Sequence, residues 1–146
     1  MLGILGGDAR CPIARALDVV GEKWTLMVVR DALAGATRFS EFQTSLGLPR
    51  DVLAGRLDTL VEAGVMARHP YKPDTGRTRD EYVLTPAGHE LSLVLLALGD
   101  WADRNRPNPG TPNLEFVDPA GERVRPAAVA GDRVLRTEDV TVRRQA

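Results

Sequence analysis

A single cysteine, Cys11, and only two histidines, His69 and His89, occur in a chain of 146 residues. So few soft ligands exclude a thiolate cage for zinc and an internal disulfide, and no metal centre is expected. Enzyme signatures are missing too. There is no glycine-rich phosphate loop, no Gly-x-Ser-x-Gly elbow and no pair of histidines at metal spacing, so neither an enzyme nor a cofactor is expected. Long apolar runs are absent as well: Glu22 and Lys23 stand before Trp24, and Asp100 follows Leu98. No stretch approaches the roughly 18 apolar residues of a membrane span, so no membrane partner is expected. Met1 to Gly7 is apolar but lacks a basic start and a long apolar centre, which argues against a secretory signal and for a cytoplasmic location. Net charge is also nearly missing, with 19 basic residues against 20 acidic. The chain as a whole is therefore no polycation, and any surface for nucleic acid must be local.

What is present is ordinary for a globular protein, 43% hydrophobic and 27% charged, enough for one core and an appendage. Ile13, Ala16, Leu17 and Val20, then Trp24, Met27 and Val28, recur at helical spacing with a break at Gly21, which predicts two helices. Gly35 stops the second. Phe39, Phe42 and Leu46 share one face of a further short helix closed by Gly47. Pro49 suits the first position of another, in which Leu53, Leu57 and Leu60 follow at spacings of four and three until Gly64. Val65 to Arg68 and Glu81 to Leu84 read as two strands joined by a long hairpin containing Pro70, Pro73, Asp74 and Gly76. Thr85 and Pro86 then cap and open a long helix.

Along that last helix Leu91, Val94, Leu95, Leu98 and Trp101 cover more than one face, more than a helix lying on a small domain would bury. These five residues are the expected interface of a homodimer. Pro107, Pro109, Gly110 and Pro112 mark a linker. We therefore expect residues 8–106 to form the main domain and 107–146 to form a linker with a short β-rich extension. In the latter, Leu114 to Val117, Arg123 to Arg125 and Asp139 to Val142 read as strands about the turn Asp118-Pro119-Ala120-Gly121.

The order helix, helix, helix, turn, helix, hairpin, helix is that of a winged helix-turn-helix domain, a mainly helical α+β fold whose second motif helix enters the DNA major groove. The same order also serves winged helices that bind only protein. Local charge favours DNA. From Arg68 to Arg79 the wing carries Arg68, Lys72, Arg77 and Arg79 against the single acid Asp74. With its three leucines inward, the recognition helix leaves Arg50, Asp51, Ala54, Gly55 and Asp58 outside. Arg50 can pair with guanine, and Ala54 and Gly55 are small enough for close approach or a thymine methyl. Asp51 either accepts from cytosine or answers the helix dipole. Asp58 and Glu62 repel phosphate. Arg38 and Arg56 are candidates for backbone contacts or for surface ion pairs.

The motifs Cys11-Pro12, Gly21-Glu22-Lys23-Trp24, Arg38-Phe39-Ser40-Glu41-Phe42, Leu53-Ala54-Gly55-Arg56-Leu57, Glu62-Ala63-Gly64-Val65, Glu81-Tyr82-Val83-Leu84-Thr85-Pro86 and Leu98-Gly99-Asp100-Trp101 follow one another with hardly a gap. Over about residues 8 to 106 the chain resembles the HxlR family of bacterial transcriptional regulators. The resemblance implies a dimeric winged-helix protein, joined through its N- and C-terminal helices, that binds double-stranded DNA and controls nearby genes; a repressor is the reading adopted. Pro49 stands where relatives commonly carry a capping serine, so no operator sequence is carried over. The resemblance also implies that Cys11 acts as a redox or electrophile sensor in some members and is a packed residue in others. With no second cysteine, a switch would need a Cys11 to Cys11 bond between subunits or a mixed disulfide with a small thiol. A small-molecule effector at the dimer interface, with Trp24 and Trp101 lining a cavity, is the alternative mode of control, although such aromatics are more often core.

Overall fold

The computed structural model describes residues 10–110 and 113–145; Met1 to Gly7 and Pro112, used above, lie outside them. Two helices form where the apolar spacing places them, α1 Pro12–Val20 and α2 Lys23–Leu33. Pro12 takes the first helical position, where no backbone N–H is needed, and Cys11 caps the end.

The helix-turn-helix follows as α3, Phe39–Leu46, and α4, Arg50–Glu62. Gly47 makes the turn at φ 65, a left-handed conformation that other residues adopt at a cost. Its N–H donates to the Gln43 carbonyl at 2.8 Å, and the Gln43 amide donates to the Leu48 carbonyl at 3.3 Å. Leu48 is buried between the two helices' ends, a core residue the sequence reading did not single out. Pro49 is the N-cap of α4 rather than its first helical residue. Its ψ of 147 is extended, so the helix begins one residue later than its φ alone suggested.

Behind α4, β1 Met66–Tyr71 and β2 Arg79–Leu84 pair antiparallel from Met66 with Leu84 to Tyr71 with Arg79. The strands are longer than expected. Pro70 is accommodated because β1 is the edge strand of the ribbon, with one side unpaired. On its other side β2 meets the segment before α3, with Tyr82 N–H donating to the Thr37 carbonyl at 2.7 Å and Arg38 bridged to Glu81. The wing is thereby tied directly to the helix-turn-helix.

Thr85 starts α5, Pro86–Asn105, and its hydroxyl does three things. It accepts from Gly88 N–H at 3.2 Å, donates to the Gly64 carbonyl and lies 3.1 Å from the Val65 carbonyl. Gly88 itself is a close approach: a Cβ there would lie 2.2 Å from the Val65 carbonyl oxygen and 2.9 Å from Leu84. The core beneath consists of Val28, Val29, Phe42, Leu48, Leu53, Leu57, Leu60, Val65 and Met66.

The chain divides into two compact units, Met1–Leu95 and Leu96–Ala146, with α5 crossing the boundary. In the second, the turn at Asp118 forms as expected, its carboxylate accepting from Ala120 and Glu122 N–H at 2.9 Å each. The strands around it shrink to one bridge between Val117 and Arg123. The expected strand Asp139 to Val142 is not formed. Thr137–Asp139 is a 3-10 turn instead, closed by Arg136 on Asp139 at 3.1 Å. The strand pair of this unit is β3 Ala128–Ala130 with β4 Arg133–Leu135, joined by the two-residue turn Gly131-Asp132, a hairpin signal present in the sequence and overlooked. No helix of the described residues is long and apolar enough to cross a membrane.

The contrast between two glycines is testable. Gly88→Ala should lower unfolding free energy by about 1–3 kcal/mol through overpacking. Gly55→Ala in α4, where a Cβ meets nothing within 4 Å, should instead raise it by up to about 1 kcal/mol. Urea midpoints of the two variants check both signs, and equal shifts would refute the close-packing account.

Candidate nucleic-acid interface

The inward row of α4 decides what points outward. Leu53, Leu57 and Leu60 are completely buried, so Arg50, Asp51 and Gly55 are exposed and Ala54 is half-buried. No side chain caps the helix at Pro49. Arg50 lies over the Phe39 ring, 4.8 Å from its centroid, which braces the guanidinium at the junction of α3 and α4. Gly55 leaves an open notch on the helix surface.

The wing divides its cations between two uses. Arg68 on β1 is ion-paired with Asp58 of α4 and lies over the Tyr82 ring. Its pKa is pushed further up, chiefly by the Tyr82 hydroxyl with Asp58 adding, so it remains a cation. This pair takes Arg68 out of the wing's free charge and neutralises Asp58, one of the acids that would have repelled phosphate. Lys72, Arg77 and Arg79 are exposed, and their side chains have no ion pair or hydrogen bond among the described residues.

Arg38 and Arg56 are both engaged within the chain. Arg38 stacks on the Tyr71 ring at 4.6 Å and lies 3.7 Å from Glu81, yet half its side chain is exposed at the start of α3. Arg56 Nε lies 2.7 Å from Glu22 Oε2 and links α4 to the start of α2. The aromatic partners Phe39 and Tyr71 were not foreseen, because each contact crosses between elements that no local spacing connects.

The remaining candidates fall elsewhere. Leu91 and Leu95 pack on the core of their own unit, whereas Val94, Leu98 and Trp101 are exposed, as is Leu93, which the sequence reading did not name. Ile13 and Leu17, one turn apart on α1, are exposed too. Trp24 packs against the core, with Lys23 over its ring. Cys11 is half-buried, and its Sγ accepts from Ala14 N–H at 3.5 Å. His69 and His89 are exposed, and no group of three metal-ligating side chains occurs among the described residues.

Two adjacent helices with a left-handed glycine between them, a hairpin tied to their base and a long helix behind define the winged helix-turn-helix class of transcription factor folds. The model of the HxlR-like helix-turn-helix family matches residues 19–109, and the chain belongs to that family. An HTH-type transcriptional regulator of Mycobacterium tuberculosis is 42% identical over 104 residues, 71% of this chain and 65% of the relative. This chain thus spans less than two thirds of that relative's length. A crystal structure of PA1607, named as a transcription factor, is 42% identical with a TM-score of 0.80, covering 94% of this chain and 97% of that one. The redox regulator HypR in its reduced form is 29% identical with a TM-score of 0.59, over 66% of this chain and 94% of its own.

One carboxylate sets the entry to this surface. Glu41 accepts from Thr37 N–H at 2.8 Å and Arg38 N–H at 3.0 Å. These bonds, Arg38 first, hold its carboxyl below the usual range. A pKa lowered by folding contributes stability above the unfolded value, about 4.3, which is lost as pH falls through the folded value. Glu41→Gln should therefore cost about 0.5 kcal/mol at neutral pH, the low end of capping effects because the group is solvent-screened. Thermal melts should show the gap closing below pH about 4.3; a gap constant down to pH about 3 would exclude the charge as its source.

Proposed function

We propose that the chain is a DNA-binding transcriptional regulator that acts as a homodimer on a pseudo-palindromic operator. The observation that carries the reading is the outward face of the first two turns of α4, with Arg50, Asp51 and Gly55 exposed and Ala54 half-buried, on the same fold as a wing bearing three cations without a partner among the described residues, Lys72, Arg77 and Arg79. In this reading the α4 turn meets base edges in the major groove while Arg38 and the wing cations meet phosphates. Arg56, held by Glu22, orients α4 and reaches phosphate only at its edge. The exposed apolar side chains of α1 and α5 support dimerisation. A two-fold would then set the half-sites roughly 34 to 36 Å apart. Repression is the direct outcome of occupying such a site.

Fluorescence anisotropy on the intergenic duplex beside the gene, against a scrambled duplex, tests this across a salt series. Specific binding with a steep salt slope is expected, and Arg77→Ala and Arg79→Ala should each flatten the slope by about 0.9. Unchanged slopes in both variants would overturn the wing assignment. Sequence-blind binding, or a monomer in sedimentation of the same sample, would overturn the regulator reading in favour of a protein-interaction module.

Cys11 adds a redox element to the proposal, supported by its place at the positive end of α1 and by the likeness to HypR. Two Cys11 thiols give up two protons and two electrons to form one intersubunit disulfide, and diamide takes them up as its hydrazine. Diamide should change DNA affinity for the wild type and leave Cys11→Ser unaffected; equal responses would refute the switch.

A further inference from the structure

We propose that the Leu96–Ala146 unit contains a binding site for a small apolar monocarboxylate. A cleft of about 240 Å³ lies wholly within this unit, between the last turns of α5 and the segments 114–116 and 123–126. It lies between the roughly 150 Å³ that holds a benzene and the 300 Å³ at which drug-sized pockets begin, so it suits one ring or branched chain with a single head group. Leu96, Leu114, Phe116, Val124 and Pro126 supply its apolar lining, and Leu96 is buried.

Gly99 gives an independent reason to read the cleft as built. It lies in the interior of α5, where glycine is a poor helix former. No close approach explains it, because a Cβ there would touch nothing within 4 Å. Its effect is to deepen the cleft it lines.

The charges around the rim select the head group. Asp100 is held by Arg104 at 2.8 Å, and Arg123 sits between Asp103 at 4.0 Å and Glu115 at 3.9 Å. Each carboxylate of the lining therefore has a guanidinium beside it. Arg125 lines the same cleft and has no ion pair or hydrogen bond among the described residues. Its planar fork matches a carboxylate and stays charged at every working pH. A cationic ligand would have to displace an arginine and face Arg125. A phosphate, with nearly two charges, would meet three carboxylates. A single negative charge faces the same three carboxylates, each with a guanidinium beside it, at about half the repulsion, and its apolar body covers the apolar lining.

The test uses the full chain, labelled with 15N, and benzoate as the probe, with benzamide and benzylamine as neutral and cationic counterparts. It contains no DNA, so its failure is separate from failure of the regulator reading. Benzoate should shift the amides of Gly99, Phe116 and Arg125 saturably in the millimolar range or below. Arg125→Gln, an exposed change, should weaken benzoate about tenfold, the loss of one charge-assisted hydrogen bond, without altering benzamide. Gly99→Leu should abolish binding by filling the cleft, with unshifted amides of the β3 and β4 hairpin reporting that this unit is intact. Equal affinity for benzamide or benzylamine, shifts mapping outside the cleft, or no saturation by about 10 mM benzoate would overturn the site.

Discussion

Burial of one leucine row holds the helix-turn-helix in register. Leu53, Leu57 and Leu60 are shut off from solvent together with Phe42, Val28, Val29 and Met66. Each such side chain contributes roughly 1.5–3 kcal/mol by leaving water. No exposed ion pair of the molecule approaches that value, since such pairs are worth about 0–1 kcal/mol. The row also fixes rotation: with three leucines inward, Arg50, Asp51 and Gly55 have no direction left but outward. Core packing and surface presentation are thus one constraint on α4.

The arginines of this fold divide by what lies within reach. Arg68 meets Asp58 and Arg56 meets Glu22, so both join the recognition helix to its neighbours, the wing and α2. Arg77 and Arg79, at the end of the hairpin, have no ion pair among the described residues. Counting bases along the hairpin overstates its free charge, because Arg68 is spent inside the protein. The same pair removes an acid from the exposed face of α4, so the local balance still favours an anionic partner.

Much of the main domain was legible in the sequence because its signals are local. Apolar spacings of three and four mark α1 to α5, and Gly47 marks the turn. Thr85-Pro86 marks the start of the long helix, since each act of capping involves residues a few positions apart. Contacts between distant elements left no such trace. Nothing in the spacing announces Tyr71 beneath Arg38, Phe39 beneath Arg50, or Thr37 against Tyr82. Leu91 and Leu95 could not be told from Val94 and Leu98 by periodicity, because Leu93 to Leu98 is apolar on every side and only the core decides which face is buried. The tail was read least well. Its strands are three residues long, too short for alternation to show, and Arg136 with Asp139 closes a turn where alternation suggested a strand.

The missing cap on α4 has a thermodynamic side. A helix start leaves several backbone N–H groups without intrahelical acceptors, and at Pro49 no side chain answers them. A serine at this position would satisfy one such donor from within. In this chain the first turn keeps it for solvent, at the positive end of the helix. An anionic partner seated there would supply bonds that the free protein goes without, so that part of the helix's stability belongs to the complex and varies with the partner's concentration.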